Sequence, residues 1–222
     1  MSFLRCSSFF GVIAVAACSL FFVSCDNGGG GGNSSSSPRA DFGSNDTNTI
    51  LCIGDSITEG TCVPAGAPYP SRLGSLTGKN AINSGVCGER SDTTAGRAPG
   101  ELAADQPAYL CLLIGANDAI HSYDQNFTGE NIRSIIRAAK AQKTVPLVAT
   151  LLPMVGQHAV YNSGADTISS TIRTVVQQEG AVLVDLEKEF GTDQSLLQAD
   201  GLHPSDSGNQ LIAMAFRDKI KH

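Results

Sequence analysis

"ILCIGDSITEG", residues 50–60, starts as a strand and then abandons that pattern. Ile50 to Ile53 form an uninterrupted apolar run, the composition of a short strand buried on both faces. Gly54 and Gly60 then bracket Asp55, Ser56, Thr58 and Glu59, a turn-forming mixture that carries acids and hydroxyls. Delivering polar chemistry to a strand's carboxyl end is what an open parallel α/β sheet does, because its ligand sites lie beyond the strand ends.

The remainder of the chain supports that reading. "TILCIG" (49–54), "NAINSG" (80–85), "YLCLLIG" (109–115), "VPLVATLLP" (145–153) and "AVLVDL" (181–186) read as strands. Helices are expected between and after them. "YPSRLGSL" (69–76) is a weak one. "TGENIRSIIRAAKAQK" (128–143) is amphipathic, with Ile132, Ile135, Ile136 and Ala139 on one face. "ADTISSTIRTVVQQEG" (165–180) ends at Gly180, and "SDSGNQLIAMAFRDKI" (205–220) has Ser205 or Asp206 as its cap. Strand–helix alternation with continuous apolar strands predicts an α/β fold, a parallel sheet covered on both faces. Strand ends then carry "GDSIT", "NSG" and "GAND", and "DGLHP" precedes the last helix.

A serine needs a base to take its proton and a third group to hold that base. Ser56 is the candidate nucleophile. Of the four histidines, His121, His158, His203 and His222, His203 stands in "ADGLHPSDSG", three residues after Asp200, a spacing that fits one turn of chain. A carboxylate there can hold Nδ1 of the imidazole while Nε2 faces the serine. Acyl transfer also needs donors aimed at a developing oxyanion. The Ser56 N–H, the Gly85 N–H and the Asn117 side-chain amide are the candidates. Asp55 and Asp118 are expected to brace their turns. Glu59 and Glu89 are expected in solvent or paired with Arg90. His121 is expected in a solvated loop, and His158 in a long loop after strand four that walls the pocket.

"GDSIT" (54–58), the glycine of "NSG" (83–85), "GAND" (115–118) and "DGLH" (200–203) together resemble blocks one, two, three and five of the SGNH/GDSL hydrolase family. The resemblance implies a three-layer α/β/α sandwich, the flavodoxin-like SGNH fold, around five parallel strands. It implies Ser56 as nucleophile, His203 as base, Asp200 as its partner, and Ser56, Gly85 and Asn117 as the oxyanion hole. The implied activity is hydrolysis of carboxylic esters through an acyl-enzyme, of the esterase, lysophospholipase or thioesterase type, without metal or organic cofactor. A carbohydrate acetylesterase of the same fold is the alternative. Ala116 and Cys87 stand where many relatives carry glycine and serine. A flavodoxin-like cofactor binder would leave "DGLHP" unexplained, and a non-catalytic carbohydrate-binding protein would be expected to have lost part of the Ser–Asp–His set.

Residues 1–25 have one early base, Arg5, an apolar run from Phe9 to Val23, and "FVSC" ending at Cys25. This is an export-signal pattern. "FVSC" resembles a bacterial lipobox, which makes Cys25 the expected lipidation site, with Cys18 in "VAAC" as the alternative. Residues 26–48, with a run of glycines and a run of serines, read as a disordered linker, leaving 49–222 as the domain. The expected location is the cell envelope, through a lipid anchor, or else secretion or the periplasm. The net charge of −6 and the lack of a basic stripe argue against nucleic acid. A monomer acting on a small acyl ester is expected. Cys52, Cys62, Cys87 and Cys111 lack metal-site spacing. Cys52 and Cys111 read as buried thiols, and a Cys62–Cys87 bridge is open.

Overall fold

The computed structural model describes residues 40–61, 63 and 68–220. The expected signal segment with Cys18 and Cys25, most of the linker, and Cys62 lie outside the described residues.

Five parallel strands, β1 (Asp46–Gly54), β2 (Asn80–Gly85), β3 (Pro107–Leu113), β4 (Val145–Ala149) and β5 (Val182–Val184), form one sheet in the order β2-β1-β3-β4-β5. The chain steps from β1 to β2 in one direction and returns past β1 to β3, so the order reverses at β1. Such a reversal opens a crevice at the carboxyl edge, where ligands bind. Gly54 sits level with Gly85 on one side and Leu113 on the other. The chain therefore leaves three neighbouring strands at or just past one level.

The crossovers put α2 (Tyr69–Thr77) on one face and α3 (Ser91–Asp105), α5 (Gln125–Ala141) and α6 (Asn162–Glu179) on the other. The final helix, α8 (Asp206–Arg217), packs beside α2. Ile50, Leu51, Cys52 and Ile53 of β1 and Leu110, Cys111 and Leu112 of β3 are fully buried between these layers. Burying such side chains stabilises the fold by about 1.5–3 kcal/mol each, which explains why these strands carry no polar alternation. Cys52 and Cys111 are buried register partners with free thiols, and burial pushes the Cys111 thiol well above its ordinary range.

The folded unit begins at Ala40, ahead of residue 49. Phe42 packs edge-on against Tyr109 at 5.3 Å between centroids, and the Asn45 amide donates to the carbonyls of Pro107 and Gln142. The tail end of the expected linker is therefore held against the amino-terminal edge of the sheet. Helix α3 has no counterpart among the predicted elements. Gly96, Pro99 and Gly100 disfavour it locally, yet Thr94, Ala98 and Leu102, one turn apart, bury against the sheet and α5. The expected strand 145–153 pairs only as far as Ala149. Cys87 has a free, exposed thiol, and the Cys62–Cys87 pairing lies outside the described residues. Among the described residues no helix is long and apolar enough to cross a membrane.

Candidate active site

Gly54 closes β1 because nothing larger fits. A Cβ there would lie 2.2 Å from the Leu113 carbonyl and 2.2 Å from Thr58 Oγ1. The chain then turns into a one-turn helix, α1 (Ser56–Glu59), with Asp55 as its N-cap. Asp55 Oδ1 accepts from the Ile57 N–H at 3.0 Å, the bracing role expected of it. Its Oδ2 is buried without a hydrogen-bond partner. Burial pushes this carboxyl up to about 7, against the pull of the Ile57 N–H and with the help of Asp118 and Glu89. Ser56 is the first residue of α1, so its N–H has no intrahelical acceptor and is available to another group.

Ser56 Oγ lies 2.9 Å from His203 Nε2, and His203 Nδ1 lies 2.6 Å from Asp200 Oδ2. The other Asp200 oxygen accepts from the N–H groups of Leu202 and His203 at 2.9 and 3.1 Å. Burial raises the Asp200 carboxyl, but the His203 hydrogen bond and those two amides outweigh it and hold the pKa below the ordinary value. An ionised carboxylate is thus fixed behind the imidazole. The loop carrying both residues is knotted to its surroundings. Gln198 N–H donates to His203 C=O, Ser205 N–H to Leu196 C=O, and the fully buried Asn209 amide to Pro204 and Ser205 carbonyls. Asn209 Oδ1 also accepts from the Tyr69 N–H, joining this loop to α2.

Asn117 lies in the first turn of α4 (Ala116–Ile120), two residues past Gly115, which adopts φ +122°. One amide hydrogen is spent on the Glu89 carbonyl at 3.0 Å, which fixes the group and leaves the other free. Gly85 is not an available donor. Its N–H is taken by Asn83 Oδ1 at 3.0 Å, and a Cβ there would sit 2.0 Å from the Glu59 amide nitrogen. Gly85 is required for close packing of β2 against α1. The loop that follows is different. Gly88 has φ +75°, open space where a Cβ would be, and an N–H that forms no hydrogen bond among the described residues. Val86 N–H to Gly54 C=O, and Asn117 to Glu89 C=O, keep this loop beside α1 and α4. "GVCG" contains two glycines. The signal that separates them is that Gly85 still pairs in β2, whereas Gly88 lies beyond it.

One support differs from the expectation that Glu89 lies in solvent or pairs with Arg90, while Asp118 braces as expected. Glu89 is buried and pairs with Arg97, not Arg90. Arg97 also reaches Glu101, Ser84 and the Gly54 carbonyl, so one guanidinium holds the ends of β1 and β2 and the 86–90 loop together. Arg90 instead pairs with Asp92 and lies 4.9 Å from the centre of the Tyr123 ring. Asp118 is fully buried and accepts from the Ser91 N–H and hydroxyl and from Thr128 Oγ1, tying α3, α4 and α5 at one point. Two depressions adjoin these elements. One, of about 380 Å³, includes Val86, Cys87, Gly88, Arg90 and the exposed His121. The other, of about 360 Å³, includes Ser122, Tyr123, Val160 and Tyr161.

Residues 52–211 match the model of the GDSL-like lipase/acylhydrolase family. The chain is 24% identical over 168 residues to thioesterase 1/protease 1/lysophospholipase L1 of Escherichia coli K12, covering 75% of this chain and 80% of that protein. It is also 24% identical over 208 residues to an acetylxylan esterase of Geobacillus stearothermophilus, covering 77% and 93%. The crystal structure of a lipase/acylhydrolase from Enterococcus faecalis superposes with a TM-score of 0.68 at 23% identity, covering 78% of this chain and 95% of that one.

Proposed function

From the premise that this chain belongs to the GDSL-like lipase/acylhydrolase family and is a serine hydrolase of carboxylic esters, we propose that Ser56, His203 and Asp200 perform the reaction. The observation that carries the assignment is the unbroken relay of 2.9 and 2.6 Å from Ser56 Oγ through His203 to Asp200. Ser56 Oγ attacks the ester carbonyl carbon while its proton passes to His203 Nε2. Asp200 holds the tautomer and stabilises the imidazolium. The oxyanion is received by the Ser56 N–H, the free Asn117 amide hydrogen and the Gly88 N–H, with Gly88 replacing Gly85 in that role. Collapse breaks the bond to the alcohol oxygen, which leaves with the proton from His203. Water, deprotonated by His203, then attacks the acyl-enzyme and releases the acid and Ser56.

A fluorophosphonate probe tests the nucleophile: labelling of the wild type at Ser56, absent in Ser56→Ala, is expected, and labelling that survives in Ser56→Ala refutes it. The proposed substrates are acyl esters, with lysophospholipids and thioesters named in one relative and acetylated xylan in another. A chain-length series of p-nitrophenyl esters, beside lysophosphatidylcholine and acetylated xylan, separates these. Acetyl preference on the sugar would favour the acetylesterase reading. We further propose that residues 1–25 direct export and that Cys25, with Cys18 as alternative, is lipidated. Incorporation of a fatty-acid analogue lost in Cys25→Ala is the expected result, and its retention moves the anchor to Cys18.

A further inference from the structure

The loop after β4 was expected only to wall the cleft, yet it is bonded to the segment that carries the acid and the base. Residues Gly156–Tyr161 form a short 3-10 helix, and His158 on it places Nδ1 2.7 Å from the backbone carbonyl of Asp200. Three residues earlier, the Val155 N–H donates to the carbonyl of Gly201 at 2.8 Å. These two acceptors are consecutive, and the first belongs to Asp200 itself.

A carbonyl oxygen can only accept, so His158 Nδ1 carries the proton in this bond. The loop's own turn leaves the Asp200 carbonyl aside. Gly201 N–H bonds to Gln198 C=O and Gln198 N–H to His203 C=O, while the Asp200 carboxylate faces the amides of Leu202 and His203. His158 supplies the hydrogen bond that holds the Asp200–Gly201 peptide plane from the other side. Rotation of that plane swings the carboxylate, and with it the imidazole whose Nδ1 it holds.

We propose that His158 is a positioning residue for ester hydrolysis: by donating Nδ1–H to the Asp200 carbonyl, it fixes the direction of the carboxylate that orients His203. The inference rests on the assignment of Ser56, His203 and Asp200 given above. His158 forms no hydrogen bond with Ser56 or His203, so the hydrogen bond through which it acts is the one to the Asp200 backbone.

The test uses His158→Ala, His158→Asn and His158→Gln with p-nitrophenyl acetate. The Asn side-chain nitrogen is attached to Cγ, as Nδ1 of histidine is, whereas the Gln nitrogen lies one carbon further out. His158→Ala should lower kcat roughly tenfold or more, the scale of a small misplacement of reacting groups, with KM within about twofold in the same comparison. His158→Asn should recover most of kcat and His158→Gln should not, with all three unfolding at temperatures close to wild type. Wild-type kcat in His158→Ala, or equal losses in the Asn and Gln variants, overturns the positioning role. Ser56→Ala and His203→Ala run alongside: if they are inactive while His158→Ala is normal, only the His158 inference falls. If they stay active, the underlying assignment falls with it.

Discussion

Ser56 and His203 meet at 2.9 Å, yet the segments that bring them there are held differently. Ser56 is placed by backbone. Buried β1 ends at Gly54, α1 starts at once, and Gly85 lets β2 press against it with no room for a Cβ. His203 is placed by bonds from elsewhere. Its loop contains no long element and is gripped by Val155, His158 and Asn209, from the β4 loop and α8. The position of Ser56, the proposed nucleophile, is thus a property of the sheet, while that of His203, the proposed base, is a property of a hydrogen-bond network. Errors in the first should appear as lost stability, and errors in the second as lost rate.

The largest expected effect removes either reacting group. Ser56→Ala and His203→Ala should each reduce kcat on a p-nitrophenyl ester by about 10³-fold or more, with unfolding midpoints near wild type. Breaking the clamp should instead unfold the nucleophile's surroundings. Arg97→Met leaves Glu89 buried without its cation, and a loss of about 3 kcal/mol in denaturant unfolding is expected. Gly85→Ala against Gly88→Ala sharpens the contrast between two glycines three residues apart. The first forces a Cβ to 2.0 Å from the Glu59 backbone nitrogen and should cost about 3 kcal/mol or more. The second meets open space and is penalised by its positive φ alone, about 1–2 kcal/mol. Thermal melts of the pair decide it, and equal losses would deny Gly85 its packing role.

A last effect, spread over several pH units, concerns Asp55. Its folded pKa of about 7 lies above the ordinary carboxyl value of 3.8. As pH rises between these values the unfolded chain loses the proton first, so this group makes stability fall with pH by up to about 1.4 kcal/mol per unit. Asp55→Asn keeps the capping oxygen and cannot ionise. Its stability relative to wild type should therefore grow from pH 4 to pH 7 and level off above. A difference constant across that range would show that Asp55 is ionised in the folded protein.

The contrast also explains what could be read from the chain. β1, β3, α5 and α6 announce themselves by apolar pattern, and Ser56, Asn117, Asp200 and His203 stand where the alternation of elements points. The Gly85 N–H is bonded to Asn83 Oδ1, and periodicity, which locates a strand end, does not tell which amide beyond it is already bonded. Glu89 was misassigned for a related reason. Arg97 becomes its neighbour only once residues 91–105 are helical, and that helix is poor in apolar residues and contains Pro99. Asn209 and His158 act through contacts between segments far apart in sequence, for which local composition carries no mark.

The anchoring of Phe42 and Asn45 has a consequence for orientation. The strands are parallel, so the chain enters the folded unit at their amino-terminal edge and presents Ser56 at the opposite one. The nine residues of β1 separate the two, roughly 25 Å along the strand. Residue 40, where the folded unit begins, therefore lies toward the edge of the sheet opposite the one that presents Ser56.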